Sequence, residues 1–138
     1  MFGGLIDAYA HSAYEVEKLD DLGIGQQVLK AGDWHHVWGL GRHLLGGQLF
    51  DYWQDPWGQE IEHYAEGDVF DASFRTRYFL AEQASMWCWG QDIPANYGAK
   101  VTRQALLEVC FELLKGRLTW GRLKLLWQAK NTPGRPWL

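Results

Sequence analysis

The fold of this chain is decided by the stretch GRHLLGGQLFDYWQDPWGQEIE, residues 41–62. Within it, the side chains of residues 47–54 alternate between two faces, which predicts a strand with Tyr52 on one of them. Residues 55–58 are Asp-Pro-Trp-Gly, with proline and glycine where a tight reversal needs them. Residues 59–65 are expected to return as a second strand. The stretch therefore predicts a β-hairpin.

Three elements are predicted before this hairpin. Residues 8–17 alternate in the manner of a strand, with His11 on one face. Residues 19–30 carry acids where a helix begins and apolar residues at helical spacing, which predicts a helix. Residues 34–39 predict a short strand rich in tryptophan. The order strand, helix, strand, strand, strand makes residues 1–66 a βαβββ module and the chain an α+β protein.

The rest of the chain divides into two segments. Residues 67–99 have no regular period but carry many aromatic side chains, so we interpret them as an extended, aromatic-rich arm that packs over the sheet. Residues 100–138 are predicted to form a basic amphipathic helical tail. Its two helices are expected over 101–115, ending before a glycine, and over 119–130, capped by a threonine.

Charge is distributed unevenly along the 138 residues, which have a net charge of -4. Residues 1–99 contain 15 acids and 5 bases, whereas residues 100–138 contain 8 bases and 2 acids. The tail is therefore expected to dock on the acidic body or on a partner chain. Trp120 and Trp127 beside the bases offer a membrane surface as the alternative, but the acidic body already supplies a counter-charge, so we do not expect membrane contact. The net acidity also argues against nucleic acid as a partner.

The sequence suggests an intracellular location. It shows neither a secretory leader nor an apolar run of the roughly 18 residues needed to span a bilayer. Cys88 and Cys110 lack metal-site spacing and are interpreted as reduced thiols. We therefore expect a cytoplasmic protein.

The stretch that predicts the hairpin resembles the signature of type I extradiol ring-cleavage dioxygenases. These belong to the vicinal oxygen chelate superfamily, together with glyoxalases and bleomycin-resistance proteins. The matching positions are Gly41, His43, Tyr52, Asp55, Pro56, Gly58 and Glu62. His11 matches the metal-binding histidine of an earlier strand, so the resemblance covers roughly residues 8–97. Asp51 departs from the usual aliphatic or aromatic residue, but it is expected to face away from Tyr52.

The resemblance implies a metal-dependent reaction. The metal would be Fe(II), with Mn(II) as the second option, held by His11, Glu62 and a third ligand. His43 would hydrogen-bond substrate or oxygen near the metal, and Tyr52 would donate to the substrate oxygen. The implied activity is extradiol cleavage of a catechol-type aromatic by O2, which makes the chain an oxidoreductase.

Each of these residues also has a structural interpretation. A strand histidine such as His11 is more often a hydrogen-bonded structural residue than a ligand, and Tyr52 alone would be interpreted as core. An inward-facing Glu62 would cost several kcal/mol if it were unpaired, which favours the metal. His35 and His36 have no motif partner and are interpreted as structural or pocket-lining residues.

The family closes its metal site with two βαβββ modules, and this sequence contains one. The other module would supply the remaining histidine ligand. A second copy of the chain could complete the site, giving two histidines and two glutamates as in a glyoxalase. A separate subunit or a missing N-terminal part could instead restore the dioxygenase site. The third option is a non-catalytic protein whose sheet binds an aromatic or other small ligand.

Overall fold

The computed structural model describes residues 9–75, 86–94, 97 and 102–131, apart from the side chain of Lys130. The elements in chain order are β1 (His11–Glu15), α1 (Leu19–Ala31), β2 (His36–Arg42), β3 (Leu49–Gln54), β4 (Glu60–Ala65), β5 (Trp89–Gly90), α2 (Arg103–Leu114) and α3 (Trp120–Asn131). The first five follow the predicted order. The predicted fold class, an α+β half-barrel module with a C-terminal helical extension, is confirmed.

The strands form one mixed sheet in the order β1-β4-β3-β2-β5. β1 runs parallel to β4, whereas the other neighbouring strands are antiparallel. The helix α1 packs against β2, β3 and β4 and buries Leu22 with Leu49 and Ala65. The helix covers that face of the sheet. The opposite face, called the inner face below, carries Tyr52 and Glu62 and is not covered by α1.

The β3–β4 hairpin reverses at the predicted turn. The Asp55 carboxylate accepts hydrogen bonds from the backbone N–H groups of Trp57 at 2.9 Å and Gln59 at 2.8 Å. Gly58 has a φ of 83°, a conformation that glycine adopts without steric cost. The resulting register places Tyr52 directly opposite Glu62 on the neighbouring strand.

The second strand and the arm differ from their predictions. β2 begins and ends later than the predicted strand over 34–39, and it pairs with a fifth strand that was not predicted. This strand, β5, has only two residues, too few for any alternation to be visible in the sequence. Gly41 permits the pairing, since a Cβ at that position would lie 2.7 Å from the Trp89 carbonyl oxygen.

Part of the aromatic arm packs on the inner face. Trp87 is buried with Trp38, Phe50 and Tyr52 in one aromatic cluster. By contrast, Phe70 and Phe74 contact each other and are exposed. Of the other aromatic positions on which the arm was predicted, Trp89 lies in β5, and Tyr78 and Phe79 lie outside the described residues. The division of the chain into residues 1–66, 67–99 and 100–138 stays a prediction.

The two tail helices lie where the sequence predicts helices. The Thr102 hydroxyl accepts from the Ala105 N–H at 3.1 Å and caps α2, and Gly116 follows the helix with a φ of 71°. Thr119 accepts from the Arg122 N–H at 3.3 Å at the start of α3. No residue of α2 is buried. In the described part of the chain, none of the helices has the length and apolar character needed to cross a bilayer.

Candidate metal centre

Four predicted site residues meet on the inner face. His11 comes from β1, Tyr52 from β3 and Glu62 from β4, where the sheet order brings their strands side by side. His43 follows β2, and its backbone N–H donates to the Gln48 carbonyl at 2.8 Å. The structure therefore brings together residues that are up to 51 positions apart in the sequence.

Glu62 is at the centre of this group. Its side chain is 3% exposed, and its Oε2 accepts a hydrogen bond from His11 Nε2 at 3.0 Å. Its Oε1 has no hydrogen-bond partner among the described residues, and the nearest cationic candidate is His43 Nε2 at 3.6 Å. A buried carboxylate oxygen without a hydrogen-bond donor raises the free energy of the folded chain. This oxygen therefore favours the binding of one more positively charged group.

The histidines set the protonation state of Glu62. Burial opposes ionisation of the carboxyl group, but the hydrogen bond with His11 and the contact with His43 outweigh it and lower the pKa of Glu62 to about 2. The same hydrogen bond raises the pKa of His11, against a smaller opposing effect of burial. The pair therefore has an ionised carboxylate beside an imidazole that gains a proton readily.

His43 and Tyr52 form a second pair beside Glu62. His43 Nδ1–H donates to the Met86 carbonyl oxygen at 2.6 Å, which leaves Nε2 as the acceptor in the neutral ring. The Tyr52 hydroxyl lies 3.1 Å from this nitrogen and can donate to it. Burial and then the negative charge of Glu62 raise the pKa of Tyr52, so the phenol keeps its proton.

An aromatic wall borders the group. Trp38 stacks on Tyr52 at a centroid distance of 5.6 Å and donates from its indole to the Gln91 carbonyl at 2.8 Å. Tyr97 contacts the rings of Trp38 at 5.0 Å and Tyr52 at 5.6 Å. Neither Trp38 nor Tyr97 was predicted as a site residue, because Trp38 lies in a tryptophan-rich strand and Tyr97 in the arm, which has no regular period. No periodic signal could have placed Tyr97 there.

A cavity of about 440 Å³ opens next to Glu62 on the same face. Ala13, Gln48, Tyr64 and Phe70 are among the residues that line it. The mixture of an aromatic ring, an amide and a carboxylate suits a small molecule with a flat apolar part and a polar edge.

Asp51 forms a different group behind the sheet. It faces α1 rather than the inner face, is 1% exposed, and accepts from His36 Nε2 at 2.8 Å and Trp53 Nε1 at 2.6 Å. The Gln26 amide lies 3.4 Å away and donates as well. This group supports β3 from the side opposite Tyr52, and it gives His36 a structural partner, whereas His35 is exposed.

His11 and Glu62 fit part of a divalent metal site. Imidazole nitrogen and carboxylate oxygen are both ligands of divalent metal ions. His11 Nε2 and Glu62 Oε2 lie 3.0 Å apart, and Glu62 Oε1 has no hydrogen-bond partner among the described residues. Neutral imidazole with carboxylate is also a donor set found with non-haem Fe(II). Among the described residues, no group of three or more His, Cys, Asp or Glu side chains is arranged to hold a metal ion, so the set is incomplete.

Known proteins with similar sequences and folds share this arrangement of strands. No protein-family model matches the sequence. Metapyrocatechase 2 from Cupriavidus necator is 39% identical over 90 residues, which cover 63% of this chain and 28% of that protein. A glyoxalase from Novosphingobium aromaticivorans, solved with Mn(II) bound, has a TM-score of 0.57 and 26% identity, covering 65% of this chain and 31% of that one.

Over the matched residues, the chain is similar in sequence and fold to one module of extradiol dioxygenases and glyoxalases of the vicinal oxygen chelate superfamily. The crystal structure of a catechol 2,3-dioxygenase is similar to this chain in fold, with a TM-score of 0.51 and 20% identity. The match covers 67% of this chain and 30% of the dioxygenase chain. The resemblance stated from the sequence is thereby confirmed. This chain spans less than a third of the length of each of these three proteins.

Proposed function

We propose that this chain supplies one half of an Fe(II) site that cleaves catechol-type aromatics in the extradiol position with O2. The observation that carries the proposal is the His11–Glu62 pair, 3.0 Å apart on the inner face, with His43 and Tyr52 beside it. The relatives named metapyrocatechase and catechol 2,3-dioxygenase point to this chemistry. Mn(II) is the alternative metal, since the glyoxalase neighbour contains it.

His11 and Glu62 would hold the metal from this chain. His11 would release the Nε2 proton that it donates to Glu62, because an imidazole nitrogen must be unprotonated to act as a ligand. When bound, the metal would supply Lewis-acid chemistry toward the catechol and O2. The third ligand would come from outside this module.

His43 and Tyr52 would handle protons at the substrate. The hydrogen bond from His43 Nδ1 to Met86 fixes the ring so that Nε2 faces Tyr52 and can accept a proton from a hydroxyl of the substrate. Tyr52 keeps its proton because its pKa is raised, so it can donate a hydrogen bond to a substrate oxygen that has become negative. The aromatic wall of Trp38 and Tyr97 would exclude water from that hydrogen bond.

The site needs a partner. A second copy or a separate subunit would cover the inner face and bring the missing ligand, and the catechol and O2 would bind between the two halves. The exposed edges of an open half-barrel are consistent with this need.

Metal binding and ring cleavage test the proposal together. We expect the purified chain, loaded anaerobically with Fe(II) and mixed with its partner if one is required, to convert a catechol to a ring-opened product that contains both atoms of ¹⁸O2. The variants His11→Ala and Glu62→Ala should lose iron, measured by mass spectrometry of the metal, and retain their circular dichroism spectrum. The matched controls are His35→Ala and Glu15→Ala, whose side chains are exposed. Unchanged iron content in both site variants would sink the proposal.

A glyoxalase-like homodimer is the second candidate. The Mn(II)-bound glyoxalase is similar to this chain in fold and sequence, and a symmetric pair would present His11 and Glu62 from each copy. This candidate predicts one metal per two chains, isomerisation of a glutathione-type thiohemiacetal and no uptake of O2. A non-catalytic binding protein would show neither reaction, and it would bind the aromatic ligand without metal.

A further inference from the structure

The tail helices present apolar side chains to solvent. On α2, the residues Leu107, Phe111 and Leu114 follow the i, i+4, i+7 spacing of one helix face. Their exposed fractions are 61%, 57% and 84%. On α3, the residues Trp120 and Trp127 are two turns apart and 77% and 68% exposed. Large apolar side chains that recur on one face of a helix and stay exposed mark an interaction surface.

The tail also carries positive charge. Lys124 is exposed and lies on the face of α3 that carries Trp120 and Trp127, at the i, i+4, i+7 spacing, whereas Arg122 is exposed on the opposite face. Neither is ion-paired within the described residues, whereas Lys115 and Arg117 approach Glu112 at 3.7 and 3.5 Å. A partner for this surface should therefore combine apolar side chains with carboxylates.

The outer side of α1 has that combination. Ile24 and Val28 lie one turn apart and are 61% and 64% exposed. Asp20 lies one turn before Ile24, and Glu17 precedes the helix, and both carboxylates are exposed. The outer side of α1 therefore combines acidic and apolar side chains, and its charge is complementary to that of the tail.

A second copy of the chain is the occupant that fits. The apolar residues of the tail and those on the outer side of α1 both remain exposed within one chain, so the tail does not dock on α1 of its own chain. Two copies can exchange tails around a two-fold axis, which makes each contact twice and doubles the buried area. We propose that α2 and α3 of one copy dock on the outer side of α1 of a second copy.

Charge exchange tests this contact. We expect the wild-type chain to have a solution mass of twice 15.9 kDa by light scattering, and to dissociate as salt is raised. The variants Lys124→Glu and Glu17→Lys/Asp20→Lys should each weaken the dimer by about tenfold or more, because like charges then face each other. A mixture of the two variants should form a mixed dimer, since the exchanged charges attract again. Arg75→Glu, an exposed base outside both surfaces, is the control.

Several results would overturn this contact. These are a monomeric wild type, a dimer that survives in both variants, or failure of the mixture to pair while both variants retain their circular dichroism. A monomer that binds vesicles of phosphatidylserine through Trp120 and Trp127 would assign the tail to a membrane surface instead. A second set, Phe111→Ser and Ile24→Ser, tests the apolar half without a change in charge.

Discussion

At the scale of single residues, Glu62 makes the stability of the metal-free chain depend on pH. Its pKa is lowered from 4.5 to about 2 in the folded chain, so its contribution is present above pH 4.5 and is lost as the pH falls toward 2. The shift corresponds to about 3 kcal/mol at most. His11 has the opposite sign, because its pKa is raised above 6.5 and its contribution is lost as the pH rises through the folded value.

The corresponding measurement is urea unfolding between pH 7 and pH 3 for the wild type and Glu62→Gln. We expect the wild type to lose stability over the acid side of this range, and the variant to be less stable at pH 7 and flatter with pH. Glu15→Gln, an exposed acid on β1, should follow the wild type. Parallel curves for wild type and Glu62→Gln would contradict the assignment.

Behind the sheet, His36 donates a hydrogen bond to the buried Asp51 carboxylate at 2.8 Å. Removal of one partner of a buried polar group typically costs about 1–3 kcal/mol. We expect His36→Ala to destabilise the chain toward the lower end of this range, because Trp53 and Gln26 still donate to Asp51. His35→Ala, at the exposed neighbouring position, should change the free energy of unfolding by less than about 0.5 kcal/mol. A similar effect of the two substitutions would mean that the Asp51 contact carries no stability.

Contacts between residues that are close in the sequence could be predicted, whereas contacts that only the fold brings together could not. The spacing of His43, Tyr52 and Glu62 was visible, because the hairpin turn fixes their register. The Met86 carbonyl that orients His43 was not, since it lies 43 positions away in a segment without period. The pairing of His36 with Asp51 was missed as well, because only the sheet brings them together.

At the scale of elements, Gly41 controls how β5 attaches to β2. A Cβ there would lie 2.6 Å from the Phe50 ring and 2.7 Å from the Trp89 carbonyl oxygen. We expect Gly41→Ala to separate β5 from β2 and to cost about 1–3 kcal/mol. Loss of hydrogen-exchange protection at the Cys88 N–H, which donates to the Arg42 carbonyl at 2.7 Å, reports the separation.

Gly23 provides the matched control for this substitution. It lies inside α1, and a Cβ there has no atom within 4 Å. Gly23→Ala should therefore raise the stability by up to about 1 kcal/mol through helix propensity alone. If Gly41→Ala were as harmless as Gly23→Ala, the close approach of β5 would not matter.

The elements with regular patterns were the predictable ones. α1, β3, β4 and the tail helices show a period or a cap that survives in the structure, and the Asp55 turn follows from its residue types. β5 could not be predicted, because a strand of two residues has no period and its existence depends on the absence of a side chain at Gly41.

At the scale of the whole molecule, the described residues supply only part of the ligands of the proposed metal site. Metal binding should therefore be coupled to the association of chains. If another chain brings the remaining ligand, the apparent affinity for Fe(II) or Mn(II) must rise with chain concentration. Titration of the metal at several chain concentrations, with bound metal measured after rapid desalting, checks this. A stoichiometry of one metal per chain at all concentrations would mean that the module completes its site alone.

The parallel pairing of β1 with β4 has a consequence for a bound ion. His11 is on the edge strand and Glu62 on its neighbour, 51 positions later, so an ion held by both would cross-link the chain as a disulfide does. In the chain-entropy model, closing a loop of that length removes about 4 kcal/mol of freedom from the unfolded chain. A bound metal would then hold the edge strand β1 to β4, and β1 would be better protected from proteases than in the metal-free chain.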